Sequence, residues 1–173
     1  MISGTTQLIA HLGYPTESFK APMIYNPWFE KQGIDAVVVP MGVKPGDYAG
    51  TLAALARVTN LKGALVTMPH KVTTLSLADE ITPTARIAGA CNALLLRPDG
   101  TWLGDQFDGA GFVRGLLRKW RTLRGARVIV SGAGGVASAI AASLAAEGVA
   151  HISLYDTHAA SAEGLAERLR AHY

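Results

Sequence analysis

The sequence runs to 173 residues, of which 49% are apolar and 17% charged, with 19 glycines and a formal net charge of +3. That length admits one generous domain or two small ones, and the composition is that of a folded α/β chain, which excludes the disordered and fibrous classes. So slight a positive charge gives no extended basic face, which argues against nucleic acid as a partner.

Residues 1–7 are polar and lack the basic-then-apolar order of a secretory signal. Residues 7–12 read as a strand, 22–31 as a helix with Pro22 at its first position, and 36–40 as a second strand. Pro27 falls inside that helix and predicts a kink or an early end, because it has no N–H to donate and its ring crowds the preceding turn. A helix over 44–57, a strand over 63–67 and a helix opening near Pro69 or His70 follow. Cys91 is the single cysteine, so no internal disulfide is available, and no spacing of ligands marks a metal site. A reducing, cytoplasmic setting is expected. Residues 93–97 and 101–105 flank Asp99-Gly100, a pair that favours a tight hairpin.

Over 108–120 the apolar residues Phe112, Val113, Leu116, Leu117 and Trp120 recur at helical spacing, and this helix is expected to join two domains. Arg118, Lys119, Arg121 and Arg124 form the one dense basic cluster. It reads as a solvated helix end, where cations offset the negative pole of the helix dipole. A strand over 127–130, a glycine-rich run, an alanine-rich helix over 136–147, a strand over 151–155 and a third element from Ser161 complete a βαβ unit. No apolar run approaches the roughly 18–20 residues of a membrane helix, so a membrane is not an expected partner.

The glycine-rich run carries the first chemistry. Gly132, Ala133, Gly134, Gly135, Val136 and Ala137 spell G-x-G-x-x-A between a strand and a helix. The first glycine allows a sharp turn, the second lets a pyrophosphate approach the backbone, and the small third residue packs helix on strand. The phosphate would sit at the positive end of the helix. Asp156 closes the second strand, near the spacing of about 20 residues expected for a ribose-binding acid. A carboxylate there accepts hydrogen bonds from both ribose hydroxyls and repels a 2′-phosphate, which predicts NAD in preference to NADP. A ligand-free turn, or a site for another adenosine compound such as S-adenosylmethionine, fits the same pattern.

Three further stretches carry a resemblance. Val66-Thr67-Met68-Pro69-His70-Lys71, Gly89-Ala90-Cys91-Asn92 and the segment from Asp108 to Phe112 stand in the order and spacing of motifs in the shikimate dehydrogenase family, V-T-x-P-H-K, G-A-x-N and D-x-x-G-F, and the turn at Gly132 follows in its place. The chain resembles that family from about Gln7 onward. The resemblance implies an α/β fold with an N-terminal substrate-binding domain over 1–106, a linking helix over 107–123 and the start of a Rossmann-like nucleotide-binding domain over 124–173. It implies Lys71 and Asp108 as the catalytic acid–base pair, with Thr67 and Asn92 holding ring hydroxyls of a small cyclic hydroxy acid. Hydride transfer between NAD(P) and a secondary alcohol or ketone requires a group that gives or takes the hydroxyl proton, and a lysine ammonium serves the reductive direction most directly.

The chain also departs from the family. Gly13, Pro15, Pro22 and Asn26 fit its first motif, G-x-P-x-x-H-S-x-S-P-x-x-H-N, but Phe19 and Ala21 stand where serines hold the substrate carboxylate, and Ser18 and Tyr25 where histidines stand. Each lost hydrogen bond to a charged group is worth roughly 1.5–3 kcal/mol. Lys20 and Tyr25 are the candidates to compensate, and Phe19 alternatively fills the pocket. Leu65 replaces the Asn that opens V-T-x-P-H-K, and Gln106-Phe107 replaces Asn-Thr before Asp108. The expected activity is therefore on a shikimate- or quinate-like acid, and a non-catalytic binding or regulatory paralogue is the rival reading. A βαβ unit alone leaves apolar strand surface open, so the expectation is a longer protein or a tail that pairs with another subunit, as in a homodimer.

Overall fold

The computed structural model describes residues 2–173. In chain order it contains β1 (Gln7–Gly13), α1 (Ala21–Gln32), β2 (Ala36–Gly42), α2 (Tyr48–Leu55), β3 (Leu61–Val66), α3 (Lys71–Leu77), β4 (Glu80–Ile81), α4 (Pro83–Ala88), β5 (Ala93–Leu96), β6 (Trp102–Asp105), α5 (Asp108–Leu117), β7 (Arg127–Ser131), α6 (Gly135–Ala146), β8 (His151–Tyr155) and α7 (Ala159–His172). The chain divides into two compact units, one comprising residues up to Glu80 together with Asn92–Gly104, the other Ile81–Cys91 together with Asp105–Tyr173.

In the first unit a six-stranded sheet runs in the order β2-β1-β3-β5-β6-β4. β1 lies parallel to both β2 and β3, and β5 runs antiparallel to β3. The central place of β1 explains its sequence: Ala10, His11, Leu12 and Gly13 are buried in succession, because a strand with neighbours on both edges and packing on both faces has no solvent side. Ala10, Leu12, Tyr48, Leu52, Ala64, Val66, Leu94 and Trp102 form the core. β2 is an edge strand, and α1 covers its free edge through Asn26, whose side-chain amide donates to the Val38 carbonyl (3.1 Å) and accepts from the Val38 N–H (2.8 Å). Both backbone groups that would template another strand are thereby satisfied.

In the second unit β7 and β8 pair in parallel from Arg127 opposite His151 to Ser131 opposite Tyr155. Val113, Leu123, Val130, Ala141, Ala142, Leu144, Leu165 and Leu169 form its core. α5 and α6 meet through small residues: a Cβ on Gly109 would collide with the Ala139 carbonyl and the Ser143 hydroxyl, so only glycine permits this approach. Among the described residues no helix is long and apolar enough to cross a membrane.

Four local expectations change. Pro27 does not end α1 early, since the helix runs to Gln32. The helix over 44–57 opens instead as a 3-10 turn, Pro45–Asp47, before α2. The helix over 108–120 ends at Leu117, leaving the basic cluster and Trp120 exposed. It packs within the second unit rather than standing alone between domains. The same unit takes in residues 81–91, which a boundary at 106 assigned to the first, because α4 packs on α6 and α7 and Arg168 Nε donates to the Ile87 carbonyl (3.1 Å).

Candidate active site

In the first unit the site residues gather at the ends of β1 and β3. The Thr67 N–H donates to the Leu12 carbonyl (2.9 Å), the Tyr14 N–H to the Met68 carbonyl (2.9 Å), and the Val66 N–H to the Asn92 carbonyl (2.8 Å). Thr67 and Asn92, both half-buried, are thus fixed to neighbouring backbone. Gly13 makes this possible, because a Cβ there would strike the Thr67 methyl, the Met68 carbonyl and the Phe19 ring.

Lys71 opens α3 and is half-buried. The residue before it, His70, is a brace: its Nε2–H donates to the Val43 carbonyl (2.8 Å), and its ring stacks on Tyr48 with centroids 4.0 Å apart and planes 1° from parallel. Thr74 Oγ1 donates to the His70 carbonyl (2.8 Å), which leaves Tyr48 to donate its hydroxyl to Thr74 (2.7 Å). His70, Tyr48 and Thr74 are all buried, so the first turn of α3, and Lys71 with it, is held by a satisfied polar network.

The rebuilt motif lies on the loop into α1. Phe19 is half-buried with its ring 4.2 Å from that of His11. Ala21 opens α1 half-buried, while Lys20 before it and Tyr25 one turn on are exposed, Tyr25 lying 6.0 Å from the Phe29 ring. His11 is a residue that sequence reasoning passed over. It is buried on β1, and burial first and the Lys71 charge second push its imidazole below the ordinary range. A polar side chain within an otherwise apolar central strand was the available signal.

In the second unit Asp108 stands at the first position of α5, half-buried, and its N–H donates to Gln106 Oε1 (3.0 Å). Gln106 is itself buried, with its N–H on Asp105 Oδ1 (2.7 Å). Asp105 also accepts from Thr82 Oγ1 (2.6 Å), and Thr82 in turn caps α4. The Gln106 that replaces the family's Asn therefore orients the helix start carrying Asp108. Burial first and the Asp105 charge second push the neighbouring Cys91 thiol up to about 11.

The glycine-rich turn leads from β7 into α6. Gly132 takes φ +103°, a conformation open to glycine. Gly134 is the extended N-cap of α6, and Gly135 and Val136 form its first turn, leaving backbone N–H groups at the positive end of a 12-residue helix. Ala137 lies 3.7 Å from where a Gly132 Cβ would be. Asp156 accepts from the Ala133 N–H (2.7 Å) and from the His158 N–H (2.8 Å), which joins the end of β8 to the turn. These bonds, His158 first and Ala133 second, hold its carboxyl below the usual range.

Residues 12–94 match the family described as the shikimate dehydrogenase substrate binding domain. Shikimate dehydrogenase (NADP(+)) of Rhodospirillum rubrum is 37% identical over 174 residues, an alignment covering 99% of this chain and 61% of that protein. Over almost its whole length the chain is similar to shikimate dehydrogenases. Among solved structures, the shikimate 5-dehydrogenase of Listeria monocytogenes, in complex with shikimate and NAD, superposes with a TM-score of 0.90 at 30% identity, over 99% of this chain and 60% of that one. Quinate dehydrogenase of Corynebacterium glutamicum, in complex with NAD, gives 0.85 at 25% identity over 96% and 60%. The chain thus spans about three fifths of the length of the shikimate dehydrogenases it matches. The match over 12–94 takes in the sequence from Gly13 to Asn92, with the departures at Phe19, Ala21 and Leu65 inside it, while Asp108 and the glycine-rich turn lie beyond.

Proposed function

We propose that this chain belongs to an NAD(P)-dependent oxidoreductase that transfers hydride between the nicotinamide and the secondary alcohol or ketone of a shikimate- or quinate-like cyclic hydroxy acid. The observation that supports the reading is the braced start of α3, which carries Lys71 in the same unit as Thr67 and Asn92. Lys71 and Asp108 are the acid–base pair of this reading: the Lys71 Nζ gives a proton to the oxygen as a ketone is reduced and takes it back in the reverse direction. Thr67 and Asn92 hold ring hydroxyls. Phe19, Ala21 and Tyr25 form the altered wall against which specificity is set, with Lys20 at its rim. We assign substrate binding to the unit of residues up to Glu80 with Asn92–Gly104, and nucleotide binding to the unit that carries the glycine-rich turn.

The glycine-rich turn fits a dinucleotide, since the left-handed Gly132 and the free N–H groups of α6 suit a pyrophosphate. When bound, the nicotinamide supplies the hydride acceptor or donor. Asp156 holds the ribose hydroxyls and disfavours a 2′-phosphate, so NAD is the preferred cofactor, although the curated relatives are named for NADP(+). The partner is a small hydroxy acid, and assembly as a homodimer is part of this proposal.

A coupled assay of the intact protein over shikimate, quinate and related hydroxy acids, with each nicotinamide cofactor, tests the reading. Turnover of one such acid is expected, with Lys71→Ala lowering kcat by about a hundredfold or more at little cost in KM. Near-normal turnover by Lys71→Ala, or no turnover of any acid by the wild type, overturns it. A strong wild-type preference for NADP overturns the assignment to Asp156.

A further inference from the structure

Gln106 joins the end of β6 to the start of α5. Its side chain is 2% exposed, and its Nε2 is enclosed with no hydrogen-bond partner among the described residues, so no ligand reaches that nitrogen. A buried donor left unpaired is a cost, and a methionine of nearly the same length would fill the place without it. What the amide supplies in return lies at its other atom, because Oε1 accepts the N–H of Asp108 (3.0 Å). That N–H is among the first in α5, which have no partner inside the helix. The N-cap residue, Phe107, makes no side-chain bond to the helix, so the ordinary capping device is missing. An Asn or Asp side chain commonly bonds the backbone N–H two residues on, and Gln106 makes the same link with one methylene more.

Both sides of the link are anchored within the second unit. The Gln106 N–H donates to Asp105 Oδ1 (2.7 Å), an atom that also accepts from Thr82 Oγ1 (2.6 Å). On the far side, Gly109 approaches α6 so closely that a Cβ would collide with Ala139 and Ser143, which leaves α5 no room to shift toward α6. Asp108 stands between these two fixed points, at the first position of the helix. The direction in which its carboxylate leaves the chain follows from its backbone, and Oε1 of Gln106 holds that backbone.

We propose that Gln106 is a positioning residue for the acid–base chemistry: by holding the Asp108 N–H it fixes where the Asp108 carboxylate stands. This rests on the function proposed above, in which Asp108 is a member of the acid–base pair. Steady-state turnover of shikimate and quinate with NAD and with NADP, by the intact protein and its Gln106 variants, tests it alongside urea midpoints. Gln106→Met should lower kcat about tenfold with KM changed less than about threefold. Its urea midpoint should stay that of the wild type, because the lost bond and the removed unpaired donor offset each other. Gln106→Asn, which keeps a carbonyl suited to the N–H two residues on, should bring kcat back to within about threefold of the wild type. Wild-type kcat in Gln106→Met while Asp108→Asn loses about a hundredfold overturns the inference alone, as does a loss that Gln106→Asn shares in full. No turnover of either acid by the wild type, or near-normal turnover by Asp108→Asn, overturns it together with the acid–base pair it rests on. If Gln106→Met does not fold, Gln106→Ala removes the same acceptor and decides by the same comparison.

Discussion

His11, Asp156 and Cys91 are ionisable side chains whose protonation the fold biases by different means. Burial, then Lys71, lowers the His11 value from an ordinary 6.5, so the unfolded chain takes up a proton at mildly acid pH that the folded chain refuses. The His11 contribution to stability is therefore complete above about 6.5 and is lost as pH falls below it. Urea midpoints at pH 7.5 and 5.0 should fall less in His11→Gln than in the wild type, and an equal fall contradicts the assignment. Asp156 behaves with the opposite proton logic and a similar outcome: its backbone bonds favour the carboxylate, so its contribution is present above the unfolded value of 3.8 and disappears as pH drops through the lower folded value. Substituting it by Ala or Arg should erode discrimination between NAD and NADP, measured as the ratio of kcat/KM. Cys91, buried and raised to about 11, should resist thiol reagents at pH 8 in the folded protein and react fully in urea.

At the scale of elements, the fold relies on a few contacts that patterning does not announce. Asn26 on α1 satisfies both backbone groups of Val38 on the outer edge of β2. Asn26→Ala should cost about 1–3 kcal/mol in urea unfolding and promote association through that edge. Gly109→Ala should be comparably harmful, about 1–3 kcal/mol, because α5 must withdraw from Ala139 and Ser143. Strands β1, β2, β3, β7 and β8 were readable as apolar runs of the right length between turn residues. α4 was not, although Thr82-Pro83 and Gly89 are an N-cap, first-turn proline and left-handed terminus. Six residues carry too little periodicity to register as a helix. Pro27 does not end α1 because a missing N–H costs one bond, and the packing of Phe29 and the Asn26 bridge hold the helix through it.

For the whole molecule, the proposed function divides its labour between two units, which makes the labour separable. Gly132→Val should abolish nucleotide binding, since φ +103° is closed to a branched side chain, while leaving hydroxy-acid binding intact. Lys71→Ala should keep the affinity for both ligands while turnover falls. Calorimetric titration of each variant with NAD and with shikimate checks both, and loss of both ligands in either variant would contradict the division. The unit boundary also shows how far sequence order departs from spatial grouping: residues 81–91 belong with α6 and α7, far along the chain, because α4 packs there and Arg168 reaches the Ile87 carbonyl.

Residue order by itself carried the α/β class, the βαβ unit with its glycine-rich turn, and the motifs in which Lys71, Thr67, Asn92 and Asp108 stand, since short-range patterning and motif spacing are local properties of a chain. Tertiary structure alone decided that His70 is a brace rather than a reactive group, that Gln106 orients Asp108, and that His11 lies enclosed with a nitrogen left over. Whether a polar atom is satisfied depends on which distant groups folding brings within hydrogen-bond reach, and no local pattern encodes that.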